Sequence, residues 1–234
     1  MSESVLLSNH AAPVISGEIL TRLDVAGPRY TSYPTADRFV EAYGPAQYLQ
    51  ALQQRVEGGG AIGGAATPLS IYVHIPFCES VCYYCACNKI ITKHHERSAE
   101  YLEALRTEID MTVEQLGRGQ AVSQLHFGGG SPTFLTDDEL EGLLTTLQSA
   151  FRFVPGGEYS IEIDPRTIDA GRLKRLAAMG FNRLSFGVQD FDPHVQQAVH
   201  RVQPFEQVAE LMKAARAEGF ESINMDLIYG LPKQ

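Results

Sequence analysis

From residue 70 onward the chain alternates between two rhythms. Short stretches at 70–75, 122–127, 159–164, 182–187 and 222–227 alternate apolar and polar residues with period two, the pattern of a strand with unlike faces. Between them, residues 96–116, 136–151, 169–179 and 204–218, with a shorter stretch near 192–200, carry helical periodicity. Leu102, Leu105, Ile109, Val113 and Leu116 make one apolar stripe. Thr136-Asp-Asp-Glu139 reads as a capping box ahead of Leu140, Leu143, Leu144 and Leu147. Pro193 and Pro204 stand where a first helical turn tolerates proline. Strands and helices in strict alternation predict an α/β fold of parallel βαβ units.

The polar positions of the strands refine that expectation. A strand covered on both faces is a nearly continuous apolar run, yet here Ile71, Val73 and Ile75 are interleaved with Tyr72, His74 and Pro76. Leu125 and Phe127 alternate with Gln124, His126 and Gly128, and Ile161 and Ile163 flank Glu162. Leu184, Phe186 and Val188 alternate with Ser185, Gly187 and Gln189, and Ile223, Met225 and Leu227 with Asn224 and Asp226. A curved sheet would gather five polar faces around a wetted cavity, so the expected architecture is a partial (β/α) TIM-like barrel with outer helices. The competing arrangement is an open sheet with one solvated face. In a (β/α) barrel the chemistry collects at the C-terminal ends of the strands. That rim would carry the loop after residue 75, Gly128-Gly-Gly-Ser131, Glu162, Asp164, Gln189 and Asp226.

Residues 1–69 lack this regularity and are expected to form an arm, with residues 70–234 as the barrel. Prolines 28, 34 and 45 punctuate the arm, and Arg29-Tyr-Thr-Ser-Tyr33 favours extended chain. One amphipathic helix is expected over 46–57, followed by a Gly-rich linker over 58–66. The 234 residues suffice for a sizeable core, and 44% hydrophobic with 20% charged residues is ordinary for a globular protein. A net charge of −9 disfavours wholesale binding to nucleic acid or anionic membrane. No apolar run reaches transmembrane length and no signal-peptide pattern opens the chain. With clustered thiols, these features lead to the expectation of a cytoplasmic monomer.

All four cysteines lie in Cys78-Glu-Ser-Val-Cys82-Tyr-Tyr-Cys85-Ala-Cys87. Thiolates so spaced can wrap one compact inorganic centre, and iron–sulfur clusters are held by such groups. Cys87 follows Cys85 too closely for both to be expected on one cluster. A zinc knuckle completed by His94 and His95 is the competing reading, though zinc sites more often use separated pairs. Inert thiols are the third. His10, His126, His194 and His200 are expected on the surface or lining a cavity, and His74, four residues before Cys78, near the centre.

The C-x3-C-x2-C spacing resembles the signature of the radical S-adenosylmethionine (SAM) superfamily. Ile71-Tyr-Val-His-Ile-Pro-Phe-Cys78, the additional Cys87, and the proline-flanked segment 28–36 together resemble the oxygen-independent coproporphyrinogen III oxidase (coproporphyrinogen dehydrogenase) family, from about residue 24 to the last residue. The resemblance implies a [4Fe-4S] cluster on Cys78, Cys82 and Cys85 with one iron left open for SAM. It implies SAM contacts from Tyr72, Tyr84, Gly129, Gly130, Ser131 and Glu162, and a second SAM held by Gln189, Arg201 and Asp226. A structural ion pair is the alternative for Glu162 and Arg201. It further implies radical decarboxylation of coproporphyrinogen III to protoporphyrinogen IX in haem synthesis, with an external one-electron donor and acceptor. A haem-binding chaperone of the same superfamily and a non-catalytic cluster-binding fragment are the alternatives. The family continues beyond a motif like Gly230-Leu-Pro-Lys-Gln234, so a truncated chain lacking a lid and further strands is expected, with poor or no turnover.

Overall fold

The computed structural model describes residues 16–25, 35–56, 61–62 and 65–234. The expected extended segment 28–34, His10 and most of the Gly-rich linker lie outside the described residues. The chain divides into two compact units, Met1–Tyr48 and Leu49–Gln234. In the first, α1 (Gly17–Leu23) starts at Ser16, whose hydroxyl accepts from the Ile19 amide at 3.3 Å. Ile19, Leu20 and Leu23 on this helix are exposed. A single turn, Ala36–Arg38, follows. The helix expected over 46–57 is α2 (Pro45–Gln54), which straddles the division.

The second unit is built on five parallel strands in consecutive order: β1 (Leu69–Ile75), β2 (Ala121–Gly129), β3 (Arg152–Ile163), β4 (Arg183–Gln189) and β5 (Ser222–Leu227). Helix α3 (Arg97–Leu116) connects β1 to β2, α4 (Asp137–Ala150) leads to β3, and α5 (Ala170–Ala178) to β4. Two helices, α6 (Pro193–Ala198) and α7 (Phe205–Ala217), lie between β4 and β5. This is the α/β arrangement expected from the two periodicities.

The apolar strand positions turn towards the helices. Phe127, Leu125, Ile161, Leu184 and Phe186 are at most 1% exposed and pack with Leu140, Leu143, Leu147, Leu173 and Leu176 in one core. Burial of each such side chain stabilises the fold by roughly 1.5–3 kcal/mol. Leu102, Ile109 and Val113 from α3, and Val208, Leu211 and Ala215 from α7, extend the same core. The capping box forms as expected: Thr136 Oγ1 accepts from the Glu139 amide at 3.3 Å, and Thr136 N donates to Glu139 Oε2 at 2.8 Å. At β5 the cover thins, and Leu227 is 62% exposed.

Besides a register shift between Leu69 and Ser70 at the start of β1, two irregularities shape the sheet. β3 begins earlier than the expected 159–164, because Pro155-Gly-Gly157 forms a bulge within the strand instead of ending it. Val122 pairs with Phe153 and Gln124 with Glu158, and the Asn182 side chain bridges the bulge by accepting from Tyr159 N and donating to Gly157 O, both at 2.8 Å. The second of the two falls between Gly187 and Gln189, where Gln189 takes a φ of 71°.

Candidate functional site

The C-terminal end of β1 runs directly into the cysteine loop. Phe77–Cys78 pairs in parallel with Ile90–Ile91, closing the intervening residues into a loop. Ile90 N donates to Pro76 O at 2.7 Å and Thr92 N to Cys78 O at 2.9 Å. The loop after β2 is stitched to the same place, with Gly130 N on Ile75 O and Ser131 N on Phe77 O, each at 2.8 Å. Glycine is needed for that approach: a Cβ on Gly130 would lie 2.7 Å from Phe77 O and 2.8 Å from Pro76 C. Phe77 stacks on Phe134 (5.0 Å between centroids) and meets Tyr101 edge-on (5.6 Å), which anchors the loop's base.

The far side of the loop is held by the segment after α6. Tyr83 N donates to Val199 O at 3.1 Å, Tyr83 stacks on His200 at 5.4 Å, and His200 Nδ1 lies 2.8 Å from Val81 O. His200 reaches this position with φ 56°, an uncommon conformation for a non-glycine residue. His94 and His95 instead face Glu96 and Glu79, at 3.0 and 3.3 Å.

Between these supports lies a cavity of about 1000 Å³ lined by Cys78, Cys82, Cys85 and Cys87, together with Tyr84, Gly129, Gly130, Ser131, Glu162, Gln189, Arg201 and Asp226. The structure thus brings together every expected site residue except Tyr72. Tyr72 is on β1, with its ring stacked over His126 (5.7 Å) and its hydroxyl 3.2 Å from His74 Nδ1. Cys82 is buried, Cys78 and Cys85 are partly buried, and Cys87 is exposed. Among the described residues no group of three His, Cys, Asp or Glu stands close enough for a single metal ion. Thiolates are the donors that iron–sulfur clusters take, and all four thiols of the loop line this one cavity, so the donor chemistry fits such a group.

The polar faces of the strands meet as the alternation requires. His126 stands between Ser160 Oγ (2.6 Å from Nδ1) and Glu162 Oε1 (3.1 Å from Nε2), while Glu162 Oε2 accepts from Gly129 N at 3.3 Å. On β4 and β5, Asp226 accepts from Ser185 Oγ at 3.1 Å and from Asn224 Nδ2 at 2.8 Å. Glu162 and Arg201 are each paired, but with His126 and Asp164 rather than with one another.

The charged centre of the site is Asp164. Burial pushes its carboxyl up, but the hydrogen bonds of Arg166 and the charges of Arg201 and Arg166 outweigh this and hold it below the usual carboxylate range. Both guanidinium groups also reach Cys82 Sγ, Arg201 Nη1 at 3.4 Å and Arg166 Nη2 at 3.7 Å. Burial raises the Cys78 thiol, partly offset by the Ser131 hydroxyl at 3.7 Å, and raises the Tyr84 phenol as well. Asp164 stands on the rim as expected, Arg166 was not among the expected residues, and His200, expected only on the surface or lining a cavity, also holds the cysteine loop. The available signal for Arg166 was Asp164-Pro-Arg-Thr167, an aspartate-proline turn at a strand's C-terminal end, in which Asp164 Oδ1 accepts from Arg166 N at 3.0 Å.

The same chain has known relatives. It is 50% identical to the oxygen-independent coproporphyrinogen III oxidase of Pseudomonas aeruginosa over 219 residues, covering 93% of this chain and 46% of the relative. It is 47% identical to that of Escherichia coli over 216 residues, covering 92% and 45%. The chain therefore spans about half the length of the curated relatives it matches. A solved structure of coproporphyrinogen III oxidase from Escherichia coli, described as a radical SAM enzyme, superposes with a TM-score of 0.79 at 48% identity over 88% of this chain and 45% of that one. The family model described as the radical SAM superfamily matches residues 72–234. That match takes in the sheet, the cysteine loop and the cavity rim together, and the chain belongs to the radical SAM superfamily.

Proposed function

We propose that the chain takes part in the oxidative decarboxylation of coproporphyrinogen III to protoporphyrinogen IX, as an oxygen-independent coproporphyrinogen III oxidase. The observation that carries this reading is the convergence of three thiols, a glycine-rich turn and several strand-end polar groups on one cavity of about 1000 Å³. The identity to enzymes of that name supports the choice of substrate.

Cys78, Cys82 and Cys85 would hold a [4Fe-4S] cluster, with Cys87 outside the ligand set. A cluster held there would supply the one-electron chemistry that cleaves SAM; removal of one hydrogen atom and one electron from a substrate propionate, the electron passing to an acceptor outside the chain, would let CO2 leave and a vinyl group form. The chain's own groups bind and orient. Gly129, Gly130 and Ser131, which line the cavity, would contact the methionine part of SAM, and Glu162, fixed by His126 and Gly129 N, presents a carboxylate suited to ribose hydroxyls. Tyr84 offers an aromatic surface for adenine, and Tyr72 extends the polar face below it. Gln189, Arg201 and Asp226, at the ends of β4 and β5 and after α6, would serve a second SAM.

The reading includes a one-electron donor and an electron acceptor from outside the chain, no nucleic-acid or membrane partner, a monomer, and a cytoplasmic setting. It also takes residues 1–69 as an arm and 70–234 as the catalytic barrel. Among the described residues no helix is long and apolar enough to cross a membrane. Anaerobic incubation of the reconstituted chain with SAM, a reductant, an electron acceptor and coproporphyrinogen III should give CO2 and a product two carboxyl groups smaller, slowly or in trace amount for a chain of this length. A loaded chain that cleaves SAM but neither binds coproporphyrinogen III nor decarboxylates any of it would contradict the assignment.

A further inference from the structure

Asp164 is 7% exposed and gathers two cations onto a single thiol. Its Oδ1 accepts from Arg166 N and Nε, each at 3.0 Å, and its Oδ2 accepts from Arg166 Nη2 at 2.7 Å and Arg201 Nη1 at 3.2 Å. The same Nη2 and Nη1 are the atoms that reach Cys82 Sγ. The two arginines come from different places, the turn after β3 and the segment after α6, and both are tied down a second time. Arg201 donates to Gly187 O through Nε at 3.2 Å and Nη2 at 2.6 Å, and Arg166 Nη1 donates to His200 O at 3.4 Å. A Cβ on Gly187 would lie 2.9 Å from Arg201 Nη2, so glycine there leaves the guanidinium its place.

The other thiols are treated differently. Cys78 Sγ receives the neutral Ser131 hydroxyl, and the one lysine beside the loop, Lys89, donates to the carbonyl oxygens of Cys85 and Cys87, at 2.8 and 3.4 Å. One carboxylate and two guanidinium groups leave a net positive charge whose donors reach the Cys82 sulfur itself, whereas the Lys89 ammonium is bonded to backbone oxygens. Hydrogen bonds to cluster sulfurs and local net charge set iron–sulfur potentials. A fixed charge in a partly buried site is also far less screened than in water.

Resting on the cluster reading above, we infer that Asp164, Arg166 and Arg201 form a positioning unit. It directs positive charge at the Cys82 sulfur and raises the potential at which the cluster accepts an electron. Asp164 and Arg166 work through the ligand, and Arg201, which the same reading also gives to the second SAM, brings its charge to the same sulfur.

The test is potentiometric titration, followed by electron paramagnetic resonance, of the anaerobically reconstituted 234-residue chain and two variants. Arg166→Gln removes a positive charge and should lower the potential by the equivalent of about tenfold in the reduction equilibrium, about 59 mV for one electron. Asp164→Asn removes the opposing negative charge and should shift it upward. A role confined to holding the loop predicts no such opposition of sign. Shifts in the same direction, or no shift in fully loaded protein, would overturn the inference while leaving the cluster assignment intact. If one variant fails to load, the sign of the other decides. Failure of both assigns the unit to loop structure and overturns the inference. Iron and sulfide counted on the unsubstituted chain test the cluster reading separately, and their absence there would overturn that reading first.

Discussion

On the proposed reading, individual side chains at the rim divide into cluster ligands, groups that would contact SAM and groups that hold them. Cys82 is the most enclosed of the four thiols and Cys87 the most exposed. Cys82→Ala should therefore abolish iron loading, whereas Cys87→Ala should leave iron content near that of the parent, both counted after anaerobic reconstitution. Glu162 and Asp226 carry little packing, so alanine at either should leave the fold intact. Loss of a charge-assisted hydrogen bond should weaken SAM binding by about 1.5–3 kcal/mol, read by calorimetry; unchanged affinity in both variants would speak against the cavity. The cysteine spacing was legible because all its members lie within ten residues of chain. Arg166 was not, because its target sulfur is 84 positions away and only the folded rim joins them. The role of His200 was hidden for the same reason, its contacts to Val81 and Tyr83 arising from another element.

At the scale of elements, the strands were legible wherever one face is apolar and the other polar, since burial follows that alternation from β1 to β4. The start of β3 was not legible, because the bulge at Pro155-Gly-Gly157 breaks the period-two alternation within the strand. The two-residue ladder of Phe77–Cys78 with Ile90–Ile91 is too short to carry a period, yet it closes the cluster loop. Gly130→Ala should consequently disturb the loop: its Cβ meets backbone atoms that cannot swing aside, and iron content should fall while β-sheet circular dichroism persists. At the start of α4, Thr136→Ala should cost about 1 kcal/mol in chemical denaturation. Burial raises the Glu139 carboxyl, but hydrogen bonds from Ser98 and Thr136 outweigh it and place it below its ordinary value of 4.5. A carboxyl depressed in the folded state contributes stability that is fully present above its unfolded pKa and is lost as pH falls through the folded one. Melting temperatures followed from about pH 6 to about pH 3 should therefore fall less steeply in Glu139→Gln than in the parent.

At the scale of the sheet, the helix-facing sides of the strands make the core, and the opposite sides or ends of β2 to β5 contribute to the cavity wall, with β1 contributing through the cysteine loop that follows it. Alternation along each strand implied this division, whereas the cavity's content had to come from the chemistry of its lining. The two roles should separate on substitution. Phe127→Ala, in the core, should cost about 3–5 kcal/mol of stability, far more than alanine at any cavity-facing carboxylate. The central claim is that three thiols and the strand-end polar groups form one radical SAM centre. Its most direct test is the release of 5′-deoxyadenosine when the anaerobically reconstituted chain is given SAM and a strong reductant. Release that depends on Cys78, Cys82 and Cys85 and survives Cys87→Ala is the predicted result. Undiminished release from Cys82→Ala, or none from a parent chain with a full complement of iron and sulfide, would contradict the account.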